Sequence, residues 1–138
     1  MASGIPGELA GYWLAHKIGG KIEWKKLFEP AIALCTNGIR VTKVLSNAIA
    51  ENEIDIRNSV ELSRIYVDPI TNRLYQENDV IKMPNLAKTL KIVSEQGSDA
   101  FYNGELTKVI VQENIENGTF GLLIKAFYSF FFQNNPNS

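Results

Sequence analysis

Residues 83–107 read "MPNLAKTLKIVSEQGSDAFYNGELT", and the placing of their proline, glycines and aromatic rings decides how the chain folds. Pro84 fits the first turn of a helix, where the amide it lacks has no intrahelical partner. Leu86, Leu90 and Val93 then recur at helical spacing until Gly97 stops the run. Ser98 is placed to cap a short turn carrying Phe101 and Tyr102. A last helix is expected from Leu106 to Glu116, closed by Asn117–Gly118. A surface connector is normally polar, because water must satisfy its backbone. Two adjacent rings between two helices therefore predict a corner folded back into a core.

Upstream the punctuation is again helical. Pro6 fits a first helical turn, with Glu8 behind it to complement the positive end of the helix dipole. Leu9, Tyr12, Trp13 and His16 follow at helical spacing as far as Gly19 and Gly20. In "EWKKLFEPAIALCTNG", residues 23–38, Trp24, Leu27, Phe28, Ala31 and Cys35 form one stripe. Pro30 is expected to divide it into a short turn and a second helix, which Asn37–Gly38 ends in the left-handed geometry that glycine tolerates. A third helix is expected from Val41 to about Asn52, burying Val44, Leu45, Ala48 and Ile49. "SRIYVDPITNRLYQEND", residues 63–79, changes character. Its β-branched and aromatic residues flank Asp68–Pro69 and Thr71–Asn72 and predict a short hairpin or extended excursion near residues 64–76. The fold class is mainly α, with that one excursion.

The 138 residues suit one ordinary domain or a piece of a larger one. Fourteen Lys and Arg against fifteen Asp and Glu, interspersed, give a net charge of −1. That balance offers no basic footprint, so no nucleic-acid partner is expected. Cys35 is the one cysteine and His16 the one histidine, which leaves neither an internal disulfide nor a multi-cysteine or two-histidine metal site. Cys35 lies among apolar neighbours and reads as a buried, inert thiol. His16 reads as a locally satisfied helix-face side chain rather than a general base. Glu51, Glu53 and Asp55 read as a solvated helix end, not a catalytic pair. Neither glycine-rich nucleotide-binding pattern occurs, and no metal or other cofactor is expected. Trp13, Trp24, Phe28, Phe101 and Tyr102 read as core packing rather than a ligand pocket. Asn117 opens the sequon "NGT", a candidate glycosylation site that matters only if the chain is exported. No signal-like leader is read at the N-terminus, and the apolar run in "FGLLIKAFYSFFFQNNPNS" (120–138) is interrupted by Lys125 and short for a membrane span.

Two long stretches carry a resemblance. "IPGELAGYWLAHKIGGKIEWKKLFEPAIALCTNGIRVTKVL" (5–45) and "MPNLAKTLKIVSEQGSDAFYNGELTKVIVQENI" (83–115) resemble the gamma-glutamyltransferase family. That family has a "PGE" turn, a "GYxxAH" helix, a "LFxPAIxLAxxGxxV" helix and a "LPxLAxTLxxIxxxGxxAFYxGxLxxxIVxxI" region in the same order. The resemblance implies a helical segment of the large subunit of an N-terminal-nucleophile hydrolase, a helix–sheet–sheet–helix sandwich. It places Phe101 and Tyr102 at a corner packed between two helices. It implies hydrolysis or transfer of the gamma-glutamyl group of glutathione and related compounds. The attacking group in the family is the threonine exposed when the precursor cuts itself into two subunits, so the implied partner is a small catalytic subunit from the same precursor.

The family's nucleophile segment, similar to "TTH", and its glutamyl-binding segment, similar to "AREVAP", are not among these residues. No catalytic and no substrate-binding residue is therefore carried over. Glu105 stands where some members have the serine of a glycosylation site at this corner. Residues 1–120 are expected to form the family-like helical segment, and 121–138 a divergent tail, apolar and then Asn-rich. The expected function is that of a truncated gamma-glutamyltransferase-like chain, inactive by itself, with gamma-glutamyl substrates handled only in the complete enzyme. The alternative is a non-catalytic helical binding or regulatory module. Location stays open: family members are usually secreted or at the plasma-membrane surface.

Overall fold

A computed structural model describes residues 6–116. The elements run α1 (Glu8–Gly19), α2 (Trp24–Asn37), β1 (Ile39–Arg40), α3 (Lys43–Glu51), α4 (Glu53–Asn58), α5 (Val60–Tyr66), β2 (Val80–Ile81), α6 (Pro84–Gln96), α7 (Asp99–Tyr102) and α8 (Glu105–Glu116). The chain is mainly helical, as its punctuation predicts. Asn117, Gly118 and the tail lie outside the described residues. Two compact units are formed, one from Phe28–Leu90 and the other from the segments up to Leu27 and from Lys91 onward.

The Phe28–Leu90 unit is built on Val41, Ile49, Ile56 and Ile81, with Leu45, Ile65, Tyr66, Leu74 and Met83 packed around them. Gly38 makes this possible. Its amide closes α2 on the Leu34 carbonyl at 2.9 Å, and its φ of +104° turns the chain directly into β1. There Ile39 pairs antiparallel with Ile81 and Arg40 with Val80. The Val41 amide continues the ladder to the Asp79 carbonyl at 2.8 Å. Thr42 and Ser59 then start α3 and α5 by accepting from the Leu45 and Leu62 amides, each at 3.2 Å.

The excursion is present but shorter than expected. Residues 64–66 belong to α5, and the hairpin begins at Val67, which bridges Leu74. Asp68 shapes the turn by accepting from the Ile70 amide at 2.9 Å and the Thr71 hydroxyl at 2.7 Å. Arg73 grips Asp79 through two bonds of 2.7 and 3.1 Å.

In the other unit the Trp24 indole N–H donates to the Val93 carbonyl at 3.1 Å. Trp13 meets Trp24 edge to face at 4.8 Å. Gly97 stops α6 as expected, at φ +72°, and a Cβ there would lie 2.9 Å from the Trp13 ring.

Several local expectations differ. Pro30 does not break α2, which runs through it. Trp24 anchors the turns before the proline, and Cys35, whose carbonyl accepts from the Met83 amide at 2.9 Å, anchors those after it. Anchoring contacts on either side of the proline thus offset the lost amide. Gly7, not Pro6, sits at the α1 N-cap, leaving Pro6 just outside the helix. Val41 precedes α3 and is buried, whereas Val44 is 80% exposed and Ala48 is exposed. The buried face of α3 is Leu45 and Ile49. On α6, Ala87 is buried in place of Leu86. Ser98 makes no side-chain cap; its carbonyl accepts from the Phe101 and Tyr102 amides.

Candidate functional site

The corner at residues 97–107 is held by several contacts. Tyr102 is buried. Its hydroxyl donates to the Pro6 carbonyl at 2.6 Å and accepts from the Ala10 amide at 3.2 Å. Gly7 has no side chain with which to cap α1, so a tyrosine far along the chain satisfies one of that helix's orphan amides instead. Phe101 packs edge to face on Tyr102 at 5.0 Å, and the Thr107 hydroxyl donates to the Phe101 carbonyl at 2.9 Å. At Gly104 an added Cβ would fall 2.8 Å from the Ala100 backbone. The rings are structural, as the sequence suggests. Tyr102→Phe is expected to destabilise the fold by about 1–3 kcal/mol, because two part-buried hydrogen bonds, each contributing about 0.5–1.5 kcal/mol, are lost. Urea unfolding read by circular dichroism checks this, with exposed Tyr12→Phe as the near-neutral control.

The other candidates resolve into structure. The His16 Nε2–H donates to the Ile22 carbonyl at 2.7 Å; since a carbonyl only accepts, this nitrogen carries the proton. The ring also lies against Trp13 and Trp24, a packing role. Cys35 is buried. Glu53 pairs with Arg57 at 2.6 Å one helical turn away, and Glu51 and Asp55 are exposed to solvent. Among the described residues no cluster of His, Cys, Asp and Glu has the makings of a metal site, and no helix is long and apolar enough to cross a membrane. Asn117 lies outside the described residues.

The hairpin was not anticipated as an electrostatic unit. Hydrogen bonds from the Ile70 amide and then the Thr71 hydroxyl hold the Asp68 carboxyl below the usual carboxylate range. Arg73 and the Gln76 amide do the same for Asp79. Tyr75 is pushed up, first by burial and then by the Asp68 and Asp79 charges. Tyr75 also lines an open groove of about 460 Å³ with Ser46, Glu53 and Glu77. It is a shallow surface with no nucleophile–base pair in it.

Among the described residues, Tyr102, Thr42 and Ser59 serve helix starts, and Asp68, Arg73 and Asp79 hold the hairpin. The family model of gamma-glutamyltranspeptidase matches residues 1–126. Scoloptoxin SSD14 of Scolopendra dehaani is 35% identical over 113 residues, covering 82% of this chain and 20% of its own. Glutathione hydrolase 5 proenzyme of Rattus norvegicus is 33% identical over 111 residues, covering 80% and 19%. The crystal structure of Helicobacter pylori gamma-glutamyltranspeptidase superposes with a TM-score of 0.79 at 27% identity, covering 87% of this chain and 34% of that one. The chain belongs to the gamma-glutamyltranspeptidase family, and its fold is a helical segment of an N-terminal-nucleophile hydrolase. It spans about a fifth of the length of these curated relatives.

Proposed function

We propose that these residues are a scaffold segment of the large subunit of an enzyme that hydrolyses or transfers the gamma-glutamyl group of glutathione and related compounds. The catalytic small subunit would come from the same precursor. The observation that carries this reading is the family match over residues 1–126, together with the close superposition on the Helicobacter pylori enzyme. The relative from rat is itself a proenzyme by name. The 138 residues hold no segment similar to the family's nucleophile or its glutamyl-binding arginine, so the chain by itself is read as inactive. The family match runs to residue 126, so the scaffold reading extends past the boundary at residue 120 expected from the sequence.

The test is immunocapture, from source cells, of the polypeptide that carries residues 83–107, followed by assay on a gamma-glutamyl anilide and sizing of its chains. Captured material that releases the aniline and contains a second chain beginning with threonine supports the proposal. Captured material with no such activity overturns it. Purified 138-residue chain is expected to leave the anilide intact; cleavage by that chain would overturn the scaffold reading.

A further inference from the structure

We infer that the outward face of α1, formed by Gly11, Leu14, Ala15 and Ile18, is a docking surface for polypeptide of the same enzyme that lies outside these 138 residues. The inference rests on the scaffold reading above and adds the face by which the scaffold attaches. Spacings of three and four residues put these positions side by side on a helix. All four are exposed, Leu14 at 59% and Ile18 at 80%. The far side of α1 is already occupied, since Trp13 and His16 lie against Trp24. α1 is therefore apolar on two sides, and its charged residues Glu8 and Lys17 stand in its first and last turns. A surface helix sets one polar face against one apolar face, whereas a helix apolar all round belongs inside a larger protein.

Gly11 points the same way. Glycine inside a helix is destabilising relative to alanine, so it needs a reason. At Gly97 the reason is the Trp13 ring, but at Gly11 an added Cβ would meet nothing within 4 Å among the described residues. Beside Leu14 and Ile18 it leaves a notch that admits a bulky apolar side chain from outside. The partner must be uncharged where it touches, because a charge set against Leu14 and Ile18 would lose its water without compensation. The length of chain available supports the choice of partner. These residues match about a fifth of the length of the curated relatives and 34% of the Helicobacter pylori chain on which they superpose, so most of each relative's chain lies beyond them.

The test oxidises native samples with hydroxyl radicals and reads each side chain by peptide mass spectrometry, in the 138-residue chain and in the polypeptide captured from source cells. In the 138-residue chain Ile18 is expected to react about fivefold faster than Ile81, which is reached only by local opening; their exposures are 80% and 2%. In the captured polypeptide the two are expected to react alike. Ile18 still outpacing Ile81 there overturns the inference. So do equal rates in the 138-residue chain, where the cover would be residues 117–138, or a second copy if protection fades on dilution. Gly11→Leu is expected to leave the urea midpoint of the 138-residue chain no lower, since leucine is the better helix former. In the complete polypeptide it is expected to cause loss of folded product, because the joint is overpacked; equal folding with leucine and glycine would sink the idea. Neither readout depends on gamma-glutamyl chemistry. Protection without aniline release overturns only the proposed function, aniline release with Ile18 still reactive overturns only the docking face, and a captured chain no longer than 138 residues overturns both.

Discussion

Ile81→Ala is expected to destabilise the Phe28–Leu90 unit by about 2–5 kcal/mol, the cost of removing buried methylenes and leaving a cavity that its neighbours fill only in part. Ile81 is only 2% exposed and sits among Val41, Ile49 and Ile56. It is also the β2 partner of Ile39, so collapse around the missing side chain is restrained by a hydrogen-bonded strand. A lower urea midpoint is the readout. Ile81→Val should cost about 0.5–1.5 kcal/mol by the same reasoning, and Ile70→Ala, at 92% exposure, next to nothing. If Ile70 and Ile81 proved equally costly to truncate, the assignment of this core would be wrong.

Gly38→Ala is expected to be nearly as damaging for a different reason. A left-handed backbone costs an L-residue roughly 1–2 kcal/mol, and the new methyl would meet Val80 Cγ1 at 2.3 Å. Val80 is partly exposed, so its side chain can swing away, but the Ile81 carbonyl at 3.3 Å belongs to the strand and cannot. The total should be about 2–3 kcal/mol, the steric part adding to the conformational one. Combining it with Val80→Ala separates the two. The double variant should recover the clash and retain the backbone strain, so the effects are non-additive. Strict additivity would show that Val80 is not what the new methyl meets.

These positions also show what the sequence discloses. Gly38, Gly97 and Pro84 announce helix ends because each answers a local backbone demand, and all three act as expected. Burial faces were less legible. Val44 and Leu86 have the right spacing, yet Val41 and Ala87 are buried instead, since the face that turns inward depends on distant partners. The pairing of Ile39 with Ile81 left no signal beyond four residues too few to show an alternation. Pro30 predicts a break from its local cost, and the anchors at Trp24 and Cys35 outweigh that cost. At the corner, Phe101 and Tyr102 were legible as buried rings in a place where a connector should be polar. That Tyr102 serves as the missing cap of α1 was not, because its partners are the backbone of residues unrelated to it in sequence. His16, Cys35 and the Glu51–Asp55 carboxylates have structural or solvent-facing placements.

The two bonds of the Tyr102 hydroxyl join residues 92 and 96 positions apart. A chain made from its N-terminus at roughly 5–20 residues per second therefore exposes α1 for on the order of 5–20 s before its cap has been synthesised. Throughout that interval the first turn of α1 lacks the hydroxyl that satisfies the Ala10 amide. The Phe28–Leu90 unit is contiguous, and everything its core needs leaves the ribosome before Tyr102 does. Order of assembly is thus written into the connectivity: the Phe28–Leu90 unit can close first, and α1 must wait for Tyr102.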